Sequence, residues 1–356
     1  MKTIVRRTAL AVCILVLALI LPTAASAACA GFDDVPESAD CYESVMYLAK
    51  CEIVAGMGNE CFSPEQLITV EQWAVMLCRA YGVETIGDNW QDVGRSSVVE
   101  AYRQGWLNET ALSAPRSPMC RSVLVESAFA AADVPVYDST LYEGGASLST
   151  ADNILRVGRE LRLCSDDADT NALVTRGEAA IILHAVLTQS FHVEEPPAPV
   201  TLVNAAGVNV NDFLLELRKV PEQVLDAFNA AGWTYCIDFD YMGGLSKKLN
   251  MSCIGATNYS RKTIYISEAD ATLHEFGHFL DYALGFPAEH ERLYLAESQN
   301  SSLRDYAKTN SREFFADCFV HWITYSADKK RMDDFRDAAP QTYAYMKKLA
   351  TNNWGA

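Results

Sequence analysis

The chain has 356 residues, half of them hydrophobic, which is room for two or three domains with packed cores. Its 29 Lys and Arg are set against 46 Asp and Glu, a net charge of −17 at pH 7 that excludes a nucleic-acid backbone as an expected partner. None of the eleven cysteines forms a C-x-x-C pair, which argues against a cysteine metal site.

The first residues, "MKTIVRRTALAVCILVLALILPTAASA", have a basic start (Lys2, Arg6, Arg7), an apolar run from Ala9 to Leu21, and a small-residue Ala25-Ser26-Ala27 end. This pattern predicts a secretory signal over residues 1–27 and a mature protein from Ala28, outside the cytoplasm. A run of 13 apolar residues is short for a bilayer span, and no other segment could form one, so no mature transmembrane span is expected. Lipidation at Cys29, behind "SAAC", is an alternative, although Ser26 stands where a large aliphatic residue is usual. Without the signal, 26 basic side chains face 46 acidic ones, net −20: residues 28–199 carry −16 and residues 200–356 carry −4. That asymmetry suggests two functional modules. The ten remaining cysteines invite disulfides in an exported chain, with Cys51–Cys61 and Cys236–Cys253, the latter around a "DFDYMGG" turn, the pairs expected first.

Residues 28–191 are repetitive. "FDDV" at Phe32 restarts as "WQDV" at Trp90, 58 residues later. Each unit predicts a helix, a Gly-rich or polar loop, and a second amphipathic helix behind a short motif. The motifs are Thr69-Val70-Glu71-Gln72, Cys120-Arg121-Ser122-Val123 and Thr175-Arg176-Gly177-Glu178, spaced by 51 and 55 residues. Three units follow, at 28–88, 89–135 and 136–191.

These segments, above all "FDDV", "EIVAGMGNECFSPEQLITVEQWAVMLCRAYG" and "LVTRGEAAIILHAVL", resemble surface-layer homology (SLH) repeats with their Thr-Arg-Ala-Glu-like motif. The resemblance implies an all-α, three-pronged module that holds an exported protein on a bacterial cell wall by binding an anionic secondary cell-wall polymer. Val70 replaces the expected arginine and Cys120 the expected threonine, leaving Arg121 and Arg176 as polymer-binding candidates. The alternative is that these arginines only pair with neighbouring helices.

A Pro-rich linker, "HVEEPPAPV", spans residues 192–200 and halts the helical pattern. Beyond it, "VNDFLLELRKVPEQVLDAFNAAG" has helical spacing, while "WTYCIDFDYM" and "KTIYISE" alternate as strands. Further helices are expected at 271–284, around 311–325, and from Asp328 towards Leu349, which makes residues 201–356 an α+β domain.

Within the helix at 271–284, "HEFGH" places His274 and His278 four residues apart on one face, as two imidazoles gripping one Zn²⁺ require. Glu275 lies beside them, placed to take a proton from the attacking water. A third ligand six residues after His278 fails because position 284 is Leu. "DYAKTNSREFFADCF" supplies Glu313 as third ligand and, one turn on, Asp317 to hydrogen-bond a ligating histidine. An ordinary capping box, Asn310-x-x-Glu313, is the competing reading.

"HEFGHFLDYALG" and "DYAKTNSREFFADCF" resemble the catalytic segments of the anthrax lethal factor peptidase domain and the related Pro-Pro endopeptidases. The resemblance implies a gluzincin-type zinc metallopeptidase fold, one Zn²⁺ on His274, His278 and Glu313, and catalytic assistance from Tyr306. Asp317 stands where lethal factor has the longer Glu. A secreted, wall-associated metalloendopeptidase acting on surface or extracellular proteins, with Pro-rich sites implied by the relatives, is the leading expectation. A toxin-like protease acting on host proteins and a catalytically silent surface-layer or adhesive protein are the alternatives.

Overall fold

The computed structural model describes residues 31–355; the signal expected over residues 1–27 and the lipidation alternative at Cys29 lie outside them. The chain divides into two compact units between Glu195 and Pro196. No helix among the described residues is long and apolar enough to cross a membrane.

In the first unit the described residues form α1 (Tyr42–Lys50), α2 (Val70–Ala80), α3 (Trp90–Arg103), α4 (Glu109–Ser113), α5 (Arg121–Ala131), α6 (Thr150–Glu160) and α7 (Arg176–Thr188). Helices α2, α5 and α7 each begin at the second residue of a repeat motif. Thr69 with Gln72 and Thr175 with Glu178 close capping boxes, satisfying two orphan backbone donors apiece. Cys120 makes no side-chain cap, because a thiol is a poor acceptor for a backbone N–H.

The residues before the motifs meet in a closed circuit. Ile68 N donates to Val174 O at 2.9 Å, Val174 N to Met119 O at 3.0 Å, and Met119 N to Ile68 O at 3.0 Å. Two residues on, a second circuit runs the opposite way round, from Val70 N to Ser117 O, from Arg121 N to Ala172 O and from Arg176 N to Gln66 O. Ile68, Met119 and Val174 are buried at the centre, in a core that includes Phe62, Trp73, Leu124, Phe129 and Leu183. Trp73 Nε1 is satisfied there by Ser127 Oγ at 2.6 Å.

The second unit holds β1 (Leu202–Asn204), α8 (Asn211–Leu217), α9 (Glu222–Ala230), β2 (Thr234–Ile237), α10 (Phe239–Leu249), β3 (Gly255–Asn258), β4 (Thr263–Ile266), α11 (Thr272–Ala283), α12 (Ala288–Glu297), α13 (Ser311–Tyr325), α14 (Lys329–Ala338) and α15 (Pro340–Thr351). Its sheet has the order β1-β2-β4-β3, parallel except for β3 against β4, so β3 is an edge strand.

Several expected elements are cut differently. The helix expected to run to Gly232 breaks into α8 and α9 at Pro221, and the one from Asp328 towards Leu349 breaks into α14 and α15 at Pro340, since proline cannot donate within a helix. "DFDYMGG" is no turn: Asp238 caps α10 by accepting from Tyr241 N, and Asn250 ends it in the left-handed region.

The described cysteines are all free thiols, so neither expected disulfide is formed. Cys51 is an exposed helix cap, while Cys61 Sγ turns to its own loop and the Asn59 carbonyl. With α10 between them, Cys236 and Cys253 are not drawn together by a tight turn, although Cys253 packs against the cluster of Cys236, Met242 and Tyr265.

Candidate active site

Helix α11 is buried continuously from Thr272 to Asp281. The Tyr235 hydroxyl pairs with Thr272 Oγ1 at 2.7 Å, fixing the first turn to β2, and Phe276 and Phe279 pack on Phe228. The opposite side of the helix meets α13 at Gly277. A Cβ there would lie 2.7 Å from Ala316 Cα, so the two backbones are in direct contact. Residues flanking this contact are thereby brought face to face: His274 and His278 on one helix, Glu313 and Asp317 on the other.

Glu313 Oε2 lies 2.9 Å from His274 Nε2 and 3.3 Å from His278 Nε2, and the two Nε2 atoms are 3.1 Å apart. The three potential ligand atoms all fall within 4.8 Å of one another. Two imidazole nitrogens and one carboxylate oxygen converging in a mostly buried site are the donor set of a catalytic zinc with a position left open, so the residues fit the ion. Asn310 caps α13 by accepting from Arg312 N and Glu313 N, yet the Glu313 carboxylate is turned to the histidines.

Asp317 Oδ1 lies 2.7 Å from His274 Nδ1, which leaves Nε2 facing Glu313 and His278. Burial opposes a charge on His274, but the hydrogen bonds to Asp317 and Glu313 outweigh it and push the imidazole up to about 9. Burial likewise works against the Glu313 carboxylate, and the hydrogen bonds from His274 and His278 still hold it far below the usual carboxylate range. Asp317 is held low in the same way by His274 and Arg304 against its burial.

Glu275 lies under the edge strand. Its Oε2 accepts from Thr257 Oγ1 at 2.7 Å, and a Cβ on Gly255 would sit 2.7 Å from its Oε1. Strand β3 can approach this carboxylate only because position 255 is glycine. Tyr306, which is 43% exposed, has its ring centre 6.0 Å from that of His274. Burial and the charges of Glu313 and Glu275 push its phenol up to about 12, so it remains a proton donor at neutral pH. His274, Glu275, Gly255, Tyr306 and His321 line one cleft of about 960 Å³.

The two other histidines of this unit stand apart from the three converging groups. His290 is buried between Asp281, 2.7 Å from Nδ1, and the Tyr345 hydroxyl, 2.9 Å from Nε2. His321 packs against Tyr325 and Phe335. Three further residues of the site, Thr257, Gly255 and Arg304, carry no periodic or motif signal in the sequence. Arg304 forks onto Asp317, with Nε 2.6 Å from Oδ2 and Nη2 2.7 Å from Oδ1.

In the first unit, Arg121 and Arg176 do not meet at one site. Arg121 Nη2 pairs with Glu178 Oε1 at 2.8 Å. Arg176 is only 5% exposed; its Nε donates to the Phe62 carbonyl at 2.9 Å and its guanidinium lies over the Phe62 ring. Arg176 also borders a cavity of about 380 Å³ shared with Gln72, Arg79 and Trp90.

Residues 238–349 match the family described as "Anthrax toxin lethal factor, N- and C-terminal domain", and residues 31–72 match the "S-layer homology domain". A search of curated proteins finds no match. The chain thus carries a segment similar to an S-layer homology domain, followed by a segment similar to the anthrax lethal factor domain.

Proposed function

We propose that this chain is a secreted, cell-wall-associated zinc metalloendopeptidase of the gluzincin type, acting on surface or extracellular proteins. The observation that carries the reading is the convergence of His274, His278 and Glu313, with His274 and the carboxylate of Glu275 lining an open cleft. His274, His278 and Glu313 would hold the ion. When bound, zinc supplies Lewis acidity, which acidifies water and polarises a carbonyl.

The chain's own groups supply the rest. Thr257 occupies Glu275 Oε2, leaving Oε1 to accept a proton from the attacking water and pass it to the leaving amine. The Tyr306 phenol donates a hydrogen bond to the developing oxyanion. Gly255, on the edge strand β3, lines the cleft, where an extended peptide can pair along the free side of that strand. Preference for Pro-rich sites rests on the resemblance to the Pro-Pro endopeptidases.

The N-terminal module is proposed to comprise three SLH repeats, at 28–88, 89–135 and 136–191, joined by a linker at 192–200 to a peptidase domain at 201–356. Its proposed partner is the secondary cell-wall polymer, with Arg176 beside the 380 Å³ cavity and Arg121 as contacts. The central test is to measure zinc stoichiometry on the full chain and profile a Pro-rich peptide library with wild type and Glu275→Ala. Zinc-loaded wild type that cleaves no peptide faster than Glu275→Ala does overturns the enzyme reading. Wall binding unchanged by replacing both arginines rejects them as contacts.

A further inference from the structure

We infer that Arg304 is a positioning residue for the metal ligand His274, acting through Asp317. The inference rests on the metal site proposed above and adds a residue that neither the HExxH segment nor the Glu313 helix contains.

Asp317 is almost completely buried, and a single hydrogen bond to His274 Nδ1 leaves its carboxylate free to rotate about the bond that joins it to the side chain. Arg304 removes that freedom. Its Nε and Nη2 take one carboxylate oxygen each, at 2.6 and 2.7 Å, and Nη2 also reaches to 3.1 Å from His274 Nδ1. The fork therefore fixes the carboxylate plane in which His274 Nδ1 finds its acceptor, and so the direction in which Nε2 points. Most ion pairs with an exposed arginine contribute little, and the Arg304 side chain is 58% exposed; this one differs because its partner is only 6% exposed and held by two bonds. The geometry needs arginine, because an ammonium cannot present two parallel N–H groups to one carboxylate. The same guanidinium lies 5.3 Å from the centre of the Tyr306 ring, so one side chain steadies both the ligand's acceptor and the phenol.

The test uses the full chain and zinc itself as probe, with affinity read by chelator competition and ligand geometry by the visible spectrum of the cobalt-substituted protein. Arg304→Met should weaken zinc binding roughly 10- to 100-fold, as loss of an outer partner of a metal-ligating histidine typically does, and should alter the cobalt spectrum. Arg304→Lys, which keeps the charge and serves if the Met variant does not fold, should remain several-fold weaker than wild type. The double variant Arg304→Met/Asp317→Asn should bind zinc as Asp317→Asn alone does. Arginine variants with wild-type affinity and spectrum, or losses that multiply in the double variant, overturn the inference while wild type binds zinc normally. Wild type that takes up no zinc overturns the peptidase reading and this inference together.

Discussion

Gly277 and Ala316 touch backbone to backbone, and this contact sets the distance between the two helices that share the candidate metal site. Gly277→Ala should force α11 and α13 apart, costing about 1–3 kcal/mol of stability as overpacking does, and should weaken zinc binding as Glu313 withdraws from the histidines. Denaturant unfolding and zinc titration of the variant check this. A fully stable Gly277→Ala protein with wild-type zinc affinity would show that the helices are not held at this separation.

Glu275 is not one of the three converging ligand groups and its carboxylate is bonded to Thr257, so its removal should separate binding from chemistry. Glu275→Gln is expected to keep zinc affinity within a few-fold while peptide hydrolysis falls by about 10²–10⁴-fold, the usual range for a lost general base. Gly255→Ala should reproduce part of the defect, because the new methyl group meets Glu275 Oε1. Parallel turnover and zinc assays decide it; loss of zinc from Glu275→Gln would contradict the assignment.

Protonation of the metal-free site has a definite sign. Hydrogen bonds to Asp317 and Glu313 overcome burial and raise His274 from 6.5 to about 9. Its contribution to folding is complete below 6.5 and disappears as pH rises through about 9. Glu313 and Asp317, depressed by their partners, contribute above their ordinary values and lose that contribution as pH falls. Chelated protein should therefore lose thermal stability between pH 6.5 and 9, where zinc affinity should rise because Nε2 must give up its proton to bind. Calorimetry of zinc uptake near neutral pH, in buffers of different ionisation enthalpy, should report proton release; a heat independent of buffer would count against it.

Tyr306 remains a phenol across the neutral range, its pKa pushed up to about 12 by burial and by nearby carboxylates. Tyr306→Phe should lower kcat by about 10²–10³-fold with KM little changed, the pattern of an interaction made in the transition state. Steady-state kinetics on a cleaved peptide provide the check, and a change confined to KM would make Tyr306 a substrate contact instead.

Cys120 precedes α5 in the extended conformation of a cap but makes no capping bond. Cys120→Thr should therefore stabilise the N-terminal unit by roughly 0.5–1 kcal/mol, while Thr175→Ala should cost a similar amount. Equilibrium denaturation tests both. No gain from threonine at 120 would mean that the thiol packs better than the hydroxyl caps.

The metal-binding groups were legible because each pair lies within one helix, where a spacing of four residues becomes a shared face. His274 with His278 and Glu313 with Asp317 needed no tertiary information beyond the meeting of their helices. Arg304, Thr257 and Gly255 were illegible for the complementary reason: Thr257 and Gly255 reach the site from β3 and Arg304 from the segment before α13, all at positions that no local pattern marks. Strand β1, three residues long, and β3, "GATN", have too little apolar alternation to register. "IDFDYM" alternates like a strand, yet Asp238 turns it into the start of α10. Arg176 illustrates a different limit, since motif position alone could not say that its guanidinium would be buried over Phe62.

The circuit through Ile68, Val174 and Met119 has a topological consequence for the N-terminal unit. In an open stack of repeats the outermost members face solvent and can fray singly. Here the third segment donates to the second, the second to the first and the first back to the third, so there is no outermost member. Deleting residues 136–191 would strand Ile68 N and Met119 O together, and unfolding should proceed in one step instead of from an end.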